Sequence, residues 1–366
     1  MVEYKIKIFN EKKINGNTSP HFLGIDIGGT NTNIGISNIK DKKMKLIFSL
    51  NFETKKIKSI IPAISKAIAY AKDNYGIISD SVCIAAAGVI SNDNNYVKLT
   101  NSPLEINANE IKNNTSLKNV YLINDFQAIG YGINFLDHKN KNDIYIIREK
   151  NTENIKRYST KTIIGAGTGL GKSILVYNHK LNSYIPIPSE GGHTDFPYQN
   201  DFEKKLIDYI KKKRNILQYL TYEEILSGRG MEDIYNFLKE TKEYTPTKYS
   251  KEIELSDNIA PLISRYRTED GLCKETLKFF ARFYARCAKN FVLDTLSVGG
   301  IYIAGGIASK NIDIFTKNDF IDEFENVYRR ADIIRNIPIY VIMNYDVSLY
   351  GACFAASYKN YIGEIL

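Results

Sequence analysis

The chain has 366 residues, 43% of them hydrophobic and 25% charged, with a formal net charge of +8. That length suits two domains of about 100–200 residues each, and the composition excludes a disordered chain, a collagen-like fibre and a disulfide scaffold. No stretch reaches the ~18 apolar residues of a membrane helix, the charged start has no apolar signal core, and the lysines are dispersed, so neither a membrane nor a nucleic acid is expected as partner.

The apolar run Phe22–Ile27 predicts a strand that ends at Gly28–Gly29, with Asn33–Ile39 as its hairpin partner and Lys45–Glu53 as a third strand. Ile60, Ile64, Ala67, Ile68 and Ala71 carry a helical period, with Pro62 in the first turn, where proline is tolerated. Val82–Ala87 and Val120–Ile123 read as short buried strands, and a helix should follow Asp125 to about Phe135. Residues 137–160 are polar and read as a surface excursion or linker. Then the opening pattern returns as strand Thr162–Ile164, glycine turn Gly165–Gly171 and strand Ser173–Tyr177. The recurrence predicts two related α/β halves. After Asn200 the pattern is mostly helical, and the basic run Lys211–Arg214 reads as a solvated helix end. The clearest helix is Lys274–Leu296, with Leu277, Phe280, Tyr284, Cys287 and Phe291 on one stripe, ended by Gly299–Gly300. Ile301–Ala304 and Ile339–Met343 are strands and Ser348–Tyr361 a last helix. The four cysteines are far apart and form no CxxC pair, which predicts small core residues in a reducing, cytoplasmic compartment.

Three glycine-rich turns follow apolar strands: Asp26 to Asn31 (DIGGTN), Gly165 to Gly171 (GAGTGLG) and Ala304-Gly305-Gly306. Glycine lets a backbone approach a phosphate closely, and consecutive N–H groups form an anion-binding nest; three such turns favour a nucleotide site. AGTGLGKS, Ala166 to Ser173, also fits a relaxed P-loop pattern. A P-loop needs a helix after the turn, whereas Ser173–Tyr177 is β-branched and apolar, so a hairpin is expected and Lys172 is not a phosphate lysine. Asp26 either holds Mg²⁺ through water or closes the Gly-Gly turn with its side chain. Asn124 and Asp125 close a strand, where ligands of α/β sheets bind, yet Asp125 equally suits a helix cap. Ser189 to Phe196 gathers Glu190, His193 and Asp195 around two glycines, a set suited to polyol hydroxyls or to a structural turn, with no second histidine or cysteine near for zinc. Thr221 and Glu224 read as a capping box, which leaves Glu223 free for another role.

DIGGTN (26–31), LTN (99–101), INDF (123–126), GAGTGLG (165–171), EGGHTDF (190–196), EEILSGRG (223–230), IAGGI (303–307) and LYGA (349–352) occur in one order along nearly the whole chain. With them the sequence resembles the ATP-dependent glucokinases of the bacterial type, within the hexokinase–actin–Hsp70 ATPase superfamily. The resemblance implies an α/β fold of two ribonuclease-H-like domains with a hinged interdomain cleft. A small domain of 1–135 plus about 346–366 and a large one of 136–345 with helical insertions are expected. It implies ATP and Mg²⁺ as cofactors, phosphorylation of glucose at its 6-hydroxyl, and a homodimer. Asp125 would be the catalytic base. Asn101, Asn124, Glu190, His193 and Glu223 would bind sugar hydroxyls. Asp26, Gly28, Gly29, Thr30 and Asn31, with Gly167, Thr168 and Gly169, would hold phosphates and the metal, and Gly305 and Gly306 would border adenosine. The family usually carries arginine where this chain has Asn33. Rival readings are a kinase for another hexose or an N-acetyl-hexosamine, and a non-catalytic sugar-sensing relative. The absence of any cysteine between Cys83 and Cys273 weighs against the N-acetyl-sugar group, which carries a cysteine cluster after its histidine.

Overall fold

The computed structural model describes residues 3–9, 20–40, 43–100, 102–149, 158–241 and 244–363. The chain divides into two compact units, one of residues 1–137, 177–188 and 344–366, the other of 138–176 and 189–343.

The first unit contains β1 (Lys5–Ile8), β2 (His21–Ile27), β3 (Asn31–Lys40), β4 (Lys43–Glu53), β5 (Ser81–Ala86), β6 (Tyr96–Lys98), β7 (Glu105–Asn107) and β8 (Asn119–Asn124). Six of them form one sheet in the order β1-β4-β3-β2-β5-β8, and β6 and β7 pair separately. β2 and β3 are an antiparallel hairpin that sets Asp26 opposite Asn33. β2, β5 and β8 run parallel. Every residue of β5 is buried, as expected of a parallel strand covered on both faces. The helix Ile61–Tyr75 lays Ala63, Ile64, Ala67 and Ala71 on a core that includes Leu23, Ile25, Ile34 and Phe48. The helices Asp125–Gly132 and Val347–Gly363 pack at very close range. A Cβ on Gly351 would stand 1.7 Å from the Ala128 carbonyl oxygen, so only glycine fits there.

The second unit is built on β9 (Ile144–Arg148), β10 (Lys161–Ala166), β11 (Leu170–Asn178), β12 (Ser183–Ser189), β13 (Ile301–Ala304) and β14 (Ile339–Ile342), in the order β12-β11-β10-β13-β14-β9. The tip of the β11–β12 hairpin, residues 177–188, belongs with the first unit. β10 pairs antiparallel with β11 and parallel with β13, and β13 parallel with β14. The series β11-β10-β13-β14 thus repeats β3-β2-β5-β8 in both order and direction. The long helix Gly271–Thr295 is capped by the Asp270 carboxylate and runs through the core of this unit. All four cysteines are buried free thiols.

Three expectations are corrected. The stretch 137–160 is not simply an excursion, because Ile144–Arg148 is an edge strand antiparallel to β14. The long helix stops before the glycine pair, at Leu296 in the left-handed conformation (φ 46°). The basic run ending at Arg214 is not simply solvated, since Lys213 and Arg214 both pair with buried Asp233.

Candidate active site

Within the first unit, the candidate residues collect at the carboxyl ends of the parallel strands. The ladder places Asp26, Ala85 and Ile123 level on β2, β5 and β8. Two strand spacings, about 10 Å, therefore separate the backbone of Asp26 from that of Ile123, and Asp125 begins the helix two residues further on. The turn after β2 is closed by its own backbone, Gly28 N–H donating to Asn31 O at 2.9 Å. Thr54, the residue after β4, ties it down: its N–H donates to Thr30 O and its hydroxyl to Gly28 O at 2.7 Å. Asp26 plays no part in that closure, so its turn-closing reading is set aside. Instead its Oδ1 accepts from Ser348 Oγ at 2.8 Å, and Asn33 hydrogen-bonds it from the opposite strand. Burial raises the Asp26 carboxyl above its ordinary value, the bonds from Ser348 and Asn33 pull it down, and the nearby Asp346 pushes it up again. A half-buried carboxylate beside a second one suits a divalent cation held through water. Gly29, Thr30 and Asn31 are exposed.

The helix after β8 is capped by Asn124 rather than Asp125. The Asn124 side chain accepts from Phe126 N–H at 2.9 Å, and Gln127 Oε1 accepts from Asn124 N–H, a reciprocal capping box. Asp125 occupies the first helical turn, its Oδ1 also 2.9 Å from Phe126 N. A carboxylate at a helix start is favoured by the dipole. Asn101 lies outside the described residues.

In the second unit, β10 and β11 form the expected hairpin, with Ala166 opposite Leu170 and Ile164 opposite Lys172. No helix follows the turn, so the P-loop reading is excluded. Gly167 N–H donates to Gly169 O, and Gly167 O accepts from Gly228 N–H at 3.0 Å. Thr168 stands between the two glycines at the tip. Glu223 is bound to this turn: its Oε2 accepts from Leu170 N–H at 2.9 Å, and a Cβ on Gly169 would lie 2.4 Å from that oxygen. The predicted capping box is absent. Thr221 sits at the cap position without a side-chain bond, and Glu224 pairs with Arg214 instead. Glu190 and His193 come together, Nε2 to Oε2 3.5 Å, both exposed, with His193 N–H donating to Glu190 O. The segment is stitched to Glu223's helix by Tyr222 N–H donating to Thr194 O and by an Asp195–Thr221 bridge. Gly305 (φ 93°) opens the short helix Gly306–Lys310 directly after β13. Among the described residues no group of three or more His, Cys, Asp or Glu is arranged to hold a metal ion, and no helix is long and apolar enough to cross a membrane.

The sequence reading missed the partners that support these groups: Ser348 for Asp26, Thr54 for the first turn, Arg214 for Glu224. Ser348 and Thr54 are distant in the chain and Arg214 lies ten residues from Glu224 on another helix, so none leaves a local signal.

Comparison with known proteins gives a consistent answer. A family model described as glucokinase matches residues 23–359. A protein named glucokinase from Nostoc punctiforme is 30% identical over 349 residues, covering 92% of this chain and 98% of its own length. One from Colwellia psychrerythraea is 32% identical, covering 93% and 96%. The solved structure of glucokinase from Balamuthia mandrillaris in complex with glucose superposes with a TM-score of 0.75 at 20% identity, over 94% of this chain and 95% of that one. The two sheet-bearing units accordingly have the two-domain α/β architecture of the actin and hexokinase type. On the family match over most of its length, this chain belongs to the glucokinase family.

Proposed function

We propose that the protein transfers the γ-phosphoryl group of ATP to the 6-hydroxyl of glucose, with Asp125 as general base. The observation that carries this reading is the bond between Glu223 and the glycine turn, Leu170 N–H to Glu223 Oε2 at 2.9 Å. It ties the turn proposed to hold phosphate to a carboxylate proposed to hold the sugar, in a single framework. Such a junction has a clear use in a sugar kinase and none in a simple nucleotide or sugar binder.

Phosphoryl transfer demands positioning, charge neutralisation and a proton acceptor, and little covalent chemistry from the protein. Asp125 takes the proton of the sugar's 6-hydroxyl as the O6–P bond forms and the bond from Pγ to the bridging oxygen breaks, the electron pair leaving with ADP. The backbone N–H groups of Gly29, Thr30, Thr168 and Gly169 hold phosphate oxygens on turns that the N–H groups of Gly28 and Gly167 close, and Gly305 and Gly306 border the adenosine. Asp26 would hold Mg²⁺ through water, where the ion supplies charge neutralisation for the phosphates. Glu190, His193, Glu223, Asn124 and Asn101 take the remaining sugar hydroxyls; a site built to hydrogen-bond hydroxyls rejects analogues that lack them. The protein is read as cytoplasmic and homodimeric.

The test is an ADP-coupled assay with ATP and Mg²⁺ against a panel of hexoses that includes N-acetylglucosamine. Glucose 6-phosphate formation is the expected result. Preference for another sugar would move the specificity; no turnover on any hexose would overturn the catalytic reading.

A further inference from the structure

Lys172 lies on β11 with only 4% of its surface exposed. A lysine buried that far ordinarily has a carboxylate partner, because desolvating an ammonium is costly. Among the described residues Lys172 makes no ion pair. Its Nζ sits over two aromatic faces instead, 5.0 Å from the Tyr222 centroid and 4.9 Å from that of Phe291. Its other neighbour is the Cys287 thiol, which burial pushes up to about 11 against the pull of the lysine. Two ring faces and a hydrogen bond with the neutral Cys287 thiol return less than the desolvation of the ammonium costs, so an apolar side chain of similar size would pack here more favourably. The charge is therefore not explained by stability.

What it underlies is specific. A Cβ built on Gly191 would stand 3.3 Å from Lys172 Nζ and 3.1 Å from its Cδ, so the lysine fills the space directly beneath the backbone between Glu190 and Gly192. One of its two ring partners, Tyr222, directly precedes Glu223, and its N–H is held by Thr194 O. The lysine thus supports the turn that presents Glu190 and His193 and, through Tyr222, the residue beside Glu223.

Resting on the proposed function, we infer that Lys172 is a positioning residue that fixes the 190–193 turn from below and thereby sets glucose affinity, without touching the reacting atoms.

Lys172→Met keeps most of the length, ending one atom short, and removes the charge; Lys172→Arg keeps the charge. In Lys172→Met the glucose Kd by calorimetry and the glucose KM should both rise about tenfold, with kcat and the ATP KM within about twofold. The amides of residues 191–194 should exchange with solvent about tenfold faster. Lys172→Arg should recover part of the glucose affinity. An unchanged glucose Kd and unchanged exchange in Lys172→Met would overturn the inference, whatever the melting temperature does. Equal losses in the Met and Arg variants would overturn it too, since packing alone would then suffice. Should Lys172→Met not fold, Phe291→Leu removes one ring face and must shift Kd and exchange in the same direction. If the wild-type protein binds no glucose, the functional reading fails separately, and the exchange of residues 191–194 alone decides whether Lys172 holds the turn.

Discussion

Phe126 N–H is shared by Asn124 Oδ1 and Asp125 Oδ1, each at 2.9 Å, yet only Asn124 closes the reciprocal cap with Gln127. The two neighbours are therefore separable by substitution. Asp125→Asn keeps an oxygen near the helix start but cannot accept a proton. It should fold with a near-normal melting temperature, bind glucose by calorimetry, and turn over roughly 10²–10⁴-fold more slowly. Turnover near that of the wild type would move the base elsewhere, with Glu190 first in line. Asn124→Ala loses the cap and should lower stability in urea by about 1 kcal/mol. Asn124→Asp retains a capping oxygen, so any rise in glucose KM in that variant reports the exchange of amide for carboxylate beside Asp125 and not the helix. Gly169→Ala offers a third handle: its Cβ would meet Glu223 Oε2 at 2.4 Å, and the yielding atom is the end of a flexible side chain. The expected result is little change in melting temperature and a clear rise in glucose KM; an unchanged KM would remove Glu223 from the sugar site. The sequence marked Asp125 and Glu223 by position. It could not divide the capping role between Asn124 and Asp125, and it misread Glu224, because Arg214 reaches Glu224 only once the helix Asp201–Arg214 has folded back.

Strand and turn were the most legible elements, because period and glycine punctuation are local. The choice between hairpin and P-loop after the GAGTGLG turn was decided by the run Ser173 to Tyr177, and the β10–β11 register bears it out. β9 escaped notice because four apolar residues between polar flanks carry too little period to separate an edge strand from a loop. The close packing of the helices Asp125–Gly132 and Val347–Gly363 was not legible either. In the sequence Gly351 is only one small residue in an apolar helix, while in the fold its hydrogen lies against the Ala128 carbonyl. Gly351→Ala must push these helices apart. Overpacking of this kind costs roughly 1–3 kcal/mol, occasionally more. Denaturation should reveal that loss, and because the displaced helix begins at Asp125, kcat should fall with it. A variant of unchanged stability would mean that the two helices slide apart freely and that their contact does not fix the Asp125 helix.

The duplicated strand order gives each unit its own core, so the two should respond to pH separately, and a single unfolding free energy would not describe the molecule. In the first unit, His21 is buried and, among the described residues, neither ring nitrogen has a hydrogen-bond partner. Burial holds its pKa below the ordinary value. Below about pH 6.5 the unfolded chain then binds more protons than the native one, so stability is lost as pH falls, until the folded value is passed. Asp26 works in the opposite sense, since a carboxyl raised by burial gains stability as it protonates. In the second unit, burial alone would raise Glu203, but its hydrogen bonds and attraction to Arg286, 2.8 Å away, bring it below the ordinary carboxylate value. Asp270 is brought down in the same way by Thr247 and the helix amide of Cys273. Stability from these two groups is fully present above about pH 4.3 and is lost only as pH falls through their folded values. Between pH 7 and 5, therefore, His21 withdraws stability from the first unit, against the opposing gain at Asp26, while Glu203 and Asp270 leave the second unit unchanged. Hydrogen exchange across that range, corrected for intrinsic rates, reads the two units apart: amides of β2 and β5 should lose protection before those of β10 and β13. His21→Phe should flatten the decline in the first unit and leave the second untouched. A decline that persists at full slope in His21→Phe, or that appears in both units together, would mean that His21 does not set the acid response.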